Sequence, residues 1–401
     1  MSEASVQTGN RRWLLYLCLG TGVAQGVFGG TRVLVSYRTL ALGGDAAMLG
    51  VVTALFALVP VLLAVWAGRA VDGRYPDLVL RGGMLLTAVS VAFIGLSKSI
   101  VALCLANVLM GTGQLLVVVA SQGMVPLLSR PEDLDRNFSA WSLCVSAGQT
   151  VGLPLVGLVT VSTTAAGAPT ATTPALLLLS GLCLTALFPM LLFRARAKKV
   201  NRGSQPPPQA IGAMLRIPAL RSAMFTSVVI LTSVDLVSVY LPLLGEQLGF
   251  SVLLVTTLLM VRTISAMMSR IALPAILARI PRGWLLVSST LCAAAPMALL
   301  PWVGYPWMIG ILLCIAGFFW GIGQPLTMAW VTSLVDHGNR AVALSVRLSG
   351  NRLGQVLVPL AAGAVASVAG VAAVFTSGGF LLAIAAGLTW RTAVDIVRQQ
   401  T

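Results

Sequence analysis

Residues 100–128 read IVALCLANVLMGTGQLLVVVASQGMVPLL, a stretch without one charged side chain. About 20 apolar residues suffice for a helix to cross roughly 30 Å of hydrocarbon. Inside a bilayer no water is available to satisfy backbone N–H and C=O groups, so a spanning run of this kind must be a helix. Similar runs recur along the chain, at 13–36, 46–67, 82–98, 137–162, 174–193, 219–244, 251–273, 283–301, 307–335, 341–367 and 370–390. With 100–128 they make about twelve spans by the length rule. Composition agrees: 57% of the chain is hydrophobic and 9% charged, its mean hydropathy is +0.94, and a soluble domain carries about a quarter charged residues. A soluble protein is excluded.

The first run, from Trp13 to Ser36, is longer than a signal-peptide core and no small-residue cleavage pattern follows it, so it reads as a span with Arg11 and Arg12 as its anchor. Basic residues fall on one side. With a cytoplasmic amino terminus the inward breaks hold Arg69, Arg74, Arg81, Arg130, Arg136, the run from Arg194 to Arg202, Arg279, Arg282, Arg340 and Arg391, and the outward breaks hold only Arg38 and Lys98. The positive-inside rule therefore predicts a multi-pass protein of the cell inner membrane with both termini cytoplasmic. The formal charge of +15 belongs to this orientation and not to a nucleic-acid surface, because the basic residues are scattered among the breaks.

Several chemistries lack parts. The six cysteines lie singly in apolar runs and His337 is the only histidine, so the reading holds no metal site, no Ser-His-Asp arrangement and no cofactor. No G-x-x-x-x-G-K-[ST] phosphate loop is present, which disfavours an ATP-driven pump. The protein is not expected to be an enzyme.

The two ends of the chain echo one another. Gly111-Thr112-Gly113-Gln114 reappears as Gly321-Ile322-Gly323-Gln324, an offset of 210, and Gly148-Gln149 as Gly354-Gln355, an offset of 206. Duplicated transporter folds predict such internal matches. The expected division is a six-helix bundle over 1–193, a basic connector over 194–218 containing Pro206-Pro207-Pro208, and a second six-helix bundle over 219–401.

In these features the chain resembles the major facilitator superfamily along essentially its whole length. The resemblance implies an all-α polytopic membrane protein, with about twelve helices in two pseudo-symmetric bundles around a central cavity. Between the second and third spans the family carries Gly, three residues, Asp and then basic residues; Gly68, Asp72, Arg74 and Arg81 fit that pattern in part. By the resemblance, Gly68, Asp72 and Arg74 form a conformational latch against the cytoplasmic end of the eleventh helix. Gly148, Gly152, Pro154 and Gly157 look like the Gly-rich, Pro-containing fifth helix of exporters with one residue inserted, and Asn107 stands where many proton-coupled exporters carry Arg.

Five charges interrupt the spans: Arg32, Asp235, Arg262, Arg347 and Arg352. Each costs about 2.5–3.5 kcal/mol at mid-membrane, so they are expected to face a watery cavity or one another. Thr21, Gln25, Arg32 and Ser36 share one helical face, as do Thr232, Asp235 and Ser238 in the seventh span, Asn107, Gly111, Gln114 and Val118 in the fourth, and Arg347, Asn351 and Gln355 in the eleventh. Aligning Tyr37 with Tyr240, an offset of 203, sets Arg32 opposite Asp235 and predicts a charge pair across the pseudo-two-fold axis. The substrate-binding and coupling set is then Arg32, Asp235, Arg262, Arg347, Arg352, Gln25, Gln114, Asn351 and Gln324, with Phe28, Trp141, Trp320, Met260, Met267 and Met328 as an apolar wall.

The expected function is secondary active transport by alternating access, as proton-coupled efflux of small anionic or amphipathic organic compounds. Proton-coupled uptake of an organic anion is the alternative within the class, and a non-transporting receptor or scaffold the alternative outside it. The partners are such a substrate, protons and lipid, with no nucleic acid, and the protein acts as a monomer.

Overall fold

The computed structural model describes residues 12–71, 76–130, 133–163, 171–191, 216–335 and 340–400, and nearly all of them are helical. The first half comprises α1 (Arg12–Ala41), α2 (Ala46–Val71), α3 (Pro76–Leu96), α4 (Ile100–Leu128), α5 (Leu134–Thr163) and α6 (Thr172–Leu191). The second opens with α7 (Pro218–Gln247), α8 (Val252–Leu277), α9 (Arg282–Leu299) and α10 (Pro306–Ser333), and closes with a helical run, Arg340–Gln400.

That last run is two helices. As one rod its 61 residues would reach about 90 Å at 1.5 Å per residue, some three times the hydrocarbon thickness. Gly370, within it, has φ 79° and ψ 172°, a left-handed geometry that glycine adopts without steric cost. Ser227 of α7 donates to Asn351, and the adjacent Thr226 is hydrogen-bonded to Thr389. Asn351 and Thr389 stand at equal distances either side of Gly370, so the chain doubles back there. Residues 340–369 are α11 and 371–400 are α12. Among the described residues eleven helical runs are long and apolar enough to cross a membrane, and the final one covers two helices, which gives the twelve expected spans. Leu62, Val101, Phe188 and Val368 stand exposed on the outer faces, as lipid contact requires.

The repeat is a repeat of packing. A side chain at Gly111 of α4 would strike the carbonyl of Phe56 in α2, and one at Gly321 of α10 would strike Ala266 in α8, so both partners keep the offset of 210. Gly148 of α5 lies against Gly22 of α1, and Gly354 of α11 against Val228 of α7, so both keep 206. The turns after α1 and α7 keep it as well. Gly43 and Gly249 have φ of 80° and 70°. Asp45 accepts from the Met48 N–H at 2.8 Å and Ser251 from the Leu254 N–H at 3.2 Å, which caps α2 and α8.

This register corrects the tyrosine alignment. An offset of 206 makes Ser238 the equivalent of Arg32 and Gly29 the equivalent of Asp235. Three residues are nearly one turn, so a match slipped by three keeps the same helical face and looks correct in sequence.

Each half carries its own apolar core, but Val33, Tyr37, Leu49 and Leu153 of the first half pack into the core of the second. The halves meet along α5 with α8 and α2 with α11. Gly50 lies against the carbonyl of Pro359 and the backbone of Gly363, Gly157 against Leu253 and Thr256, and Tyr240 donates to the carbonyl of Ala46 at 3.2 Å. These contacts cluster at the end bearing the turn between α1 and α2, which is where the halves are sealed together.

The third span begins earlier than 82. Pro76 starts α3, as proline does well at a first helical position. Arg81 is therefore on a helix, ion-paired with Asp77 at 3.2 Å and donating through Nε to the carbonyl of Met190 at 2.9 Å. Gly68 is in the last turn of α2. Asp72, Arg74, His337 and the connector before Arg216 lie outside the described residues.

Candidate functional site

Between the halves lies a cavity of about 360 Å³, within the range of sites that hold small organic ligands. Its wall comes from α1, α2, α4 and α5 and from their counterparts α7, α8, α10 and α11. Toward the sealed end its boundary is apolar and buried, with Val33, Leu153 and Leu259; Gln122 and Arg270 are exposed at the other end.

At its centre is the predicted charge pair. Arg32 Nη1 meets Asp235 Oδ1 at 2.5 Å, joining α1 to α7. The other carboxylate oxygen accepts from Gln355 Nε2 at 2.7 Å, and Gln355 Oε1 accepts from Arg352 Nη1 at 3.0 Å. Arg32, Asp235, Gln355 and Arg352 thus form one chain of contacts across three helices and both halves. Asp235 is 3% exposed, so the guanidinium and the amide replace the water its charge would otherwise demand. Arg32 also lies over the ring of Phe28, 5.9 Å from its centroid, and Phe28 stacks on Phe56. The three-residue slip in register is bridged by the reach of the arginine side chain.

Two turns earlier on the same face of α1 is a glutamine cluster. Gln25 Oε1 accepts from Gln114 Nε2 and from Gln149 Nε2, each at 3.1 Å, which ties α1 to α4 and α5. Gln149 and Gln355 are repeat counterparts, as are Gln114 and Gln324, and all four line the cavity.

Of the nine residues predicted for binding and coupling, Arg32, Asp235, Arg262, Arg352, Gln25, Gln114 and Gln324 line this cavity. Arg347 and Asn351 do not. Arg347 is buried and donates to the Gln324 side chain at 2.7 Å and to Thr327 at 3.1 Å, holding α11 to α10; Asn351 accepts from Ser227 of α7. The stripe 347–351–355 marks a polar face of α11, but the cavity receives Arg352 and Gln355, three apart, and the earlier turn faces its neighbours. Asn107 likewise donates to the carbonyl of Val52 at 2.6 Å and binds α4 to α2. From the apolar wall, Met260 and Met328 are absent.

Sequence reasoning missed Arg270. It lines the cavity on α8 and donates to Ser146 of α5 at 3.0 Å, across the two halves. Arg262, Ala266 and Arg270 recur at steps of four, the signal of a shared helical face, but Arg270 lies so near the end of its span that it reads as an anchor.

The Major Facilitator Superfamily profile matches residues 17–346. The chain belongs to this superfamily. As such it is a secondary transporter embedded in a membrane and not an enzyme. Among solved structures it is similar to a bacterial homolog of the human lysosomal transporter Spinster in an inward-facing, unoccupied conformation, at 14% identity and a TM-score of 0.77 over 97% of this chain and 99% of that one. It is also similar to the nucleoside transporter NupG, at 14% identity and a TM-score of 0.73 over 94% and 98% of the two chains, and to a mutant of NupG with a TM-score of 0.79. At such identities the likeness is one of fold. No curated protein matches the sequence. Among the described residues α3, α6, α9 and α12 contribute nothing to the cavity.

Proposed function

We propose that the protein is a proton-coupled transporter of small organic anions in the cell inner membrane, with both termini and the open end of the cavity on the cytoplasmic side. The bundles 1–193 and 219–401 rock about the central site while the connector 194–218 tethers them. The observation that carries this reading is the double engagement of Asp235. Both its oxygens are occupied, one by Arg32 and one by Gln355.

A substrate anion entering the cavity competes for Arg32. When the guanidinium turns to the substrate, Asp235 is left as a buried carboxylate without a counter-charge, which costs several kcal/mol. A proton on Asp235 removes that cost. Anion and proton therefore load together, and the occupied site carries no more net charge than the empty one. An exporter that exchanges substrate for protons needs the two to compete, so this linkage favours symport, and hence uptake, over the efflux suggested by the fifth-helix glycines. Asn107, committed to Val52, supplies no exporter-type arginine. A scaffold without transport has no use for four arginines in its interior.

The test is uptake of radiolabelled organic acids into proteoliposomes under an imposed pH gradient. An inwardly directed proton gradient drives accumulation, and Asp235→Asn retains binding and exchange but loses response to the gradient. Gradient-driven accumulation that persists in Asp235→Asn refutes the proton role of this carboxylate.

A further inference from the structure

Four arginines line the cavity, Arg32, Arg262, Arg270 and Arg352, with Asp235 as the single carboxylate among them. They form one cluster: Arg262 lies within reach of the charges of Arg32, Asp235 and Arg270, and Arg352 within reach of those of Asp235 and Arg32. Asp235 is consumed by Arg32 and Gln355. Among the described residues Arg262 has no hydrogen-bond or ion-pair partner, and the Nε atoms of Arg262 and Arg352 are buried without acceptors.

The indole N–H groups of Trp141 and Trp320, 5% and 3% exposed, are also buried without an acceptor. The only buried acceptor on the wall lacking a donor, among the described residues, is Gln114 Oε1. These donors without a protein acceptor suit a molecule rich in oxygen acceptors. Charge sets how much. With Asp235 ionised the cluster holds three uncompensated positive charges. Once the proton proposed above neutralises Asp235 the cluster holds four, so a monoanion leaves three of them in a low-dielectric cleft, whereas a dianion leaves two and offers enough oxygens to fork onto two guanidiniums at once.

We propose that the substrate class is the divalent organic anion, a dicarboxylate or a phosphate monoester, seated on Arg262 and Arg352 as it draws Arg32 from Asp235. This rests on the anion reading above and narrows it. Arg270, at the exposed end of the same helix face, is the first cation the substrate meets and Arg262 the one that holds it.

The experiment is thermal unfolding of the purified full-length protein in detergent at constant ionic strength, titrated with glutarate against valerate and with phenyl phosphate against benzoate. In at least one pair the dianion is expected to bind about tenfold or more tightly than the monoanion, the worth of one charge-assisted hydrogen bond. Arg262→Gln or Arg352→Gln shrinks that preference to about twofold. Arg270→Gln, at an exposed position, weakens both members of a pair alike, and Arg262→Lys keeps part of the preference. Equal binding of monoanion and dianion in both pairs overturns divalent recognition while leaving the anion reading intact, and so does a dianion preference that survives Arg262→Gln and Arg352→Gln. Stabilisation by neutral or cationic solutes alone overturns both.

Discussion

Replacing Gly50 by alanine tests how the sealed end is held. A Cβ on Gly50 would stand 2.8 Å from Gly363 Cα and 3.0 Å from its nitrogen, and would collide with the Pro359 carbonyl. These are backbone atoms of α11, so no rotamer change can make room, and the methyl group must force α2 and α11 apart. Overpacking of this kind costs about 1–3 kcal/mol. Only the state in which the halves touch at this end bears the cost, so the equilibrium toward the opposite opening shifts by about 5–150-fold. If that state is about 1% populated at rest, as minor states are, it rises to between roughly 5% and 60%. The assay replaces the native cysteines and places a single reporter, Ser238→Cys, in the cavity wall. Right-side-out vesicles are then treated with a membrane-impermeant maleimide. Labelling is slow in the parent and at least about fivefold faster with Gly50→Ala, and Gly363→Ala, which would meet Ala47 and Gly50, acts in the same sense. Gly181→Ala, with nothing within 4 Å of the new methyl, is the control. If Gly50→Ala labels at the parental rate while remaining folded, the glycine contact is not what keeps the end shut.

Other outcomes follow from the contacts. Arg347→Ala strips the Gln324 side chain and Thr327 of a charged donor and is expected to cost about 1.5–3 kcal/mol per bond of that kind, lowering the unfolding temperature while leaving substrate affinity in binding titrations within about twofold. Gln25→Leu removes the acceptor shared by Gln114 and Gln149, leaving the buried Gln114 amide unpaired at about 1–3 kcal/mol and the half-buried Gln149 amide at less, and should lower both stability and affinity. Gly370→Ala forces a side chain into positive-φ backbone open essentially only to glycine, at about 1–3 kcal/mol, which a thermal melt registers as a drop with transport kinetics unchanged.

The fold was legible because the bilayer imposes a length and a polarity on every span, and charged breaks mark the ends. One break had no charge to mark it: the spans 341–367 and 370–390 divide beside Gly370, whose backbone angle turns α11 into α12. The site was legible to the extent that buried charge is costly. Arg32, Asp235, Arg262 and Arg352 could be singled out from hydropathy alone, and all line the cavity. Which neighbour satisfies a charge is not written in hydropathy, and Arg347 shows the limit: it carries the same cost as Arg352 but meets it against Gln324 and Thr327 within its own half. Arg270 was hidden for the opposite reason, because a cation near a span end costs little in principle and attracts no attention.

The central pair shows why the halves had to diverge. Helices α1 and α7 are images of one another about a pseudo-two-fold axis and face each other beside it, so an identical charge on both would confront its own copy. The chain avoids this by holding Arg32 where α7 has Ser238, and Asp235 where α1 has Gly29. The two charges are thus displaced by nearly a turn and each image position is neutral. Attraction across the axis is available only because the symmetry is broken at both positions, and it then falls on the two helices that must separate for the sealed end to open. Under the proposed coupling, a bond between the halves whose strength depends on the charge of Asp235 would link proton occupancy to the separation of α1 from α7 directly.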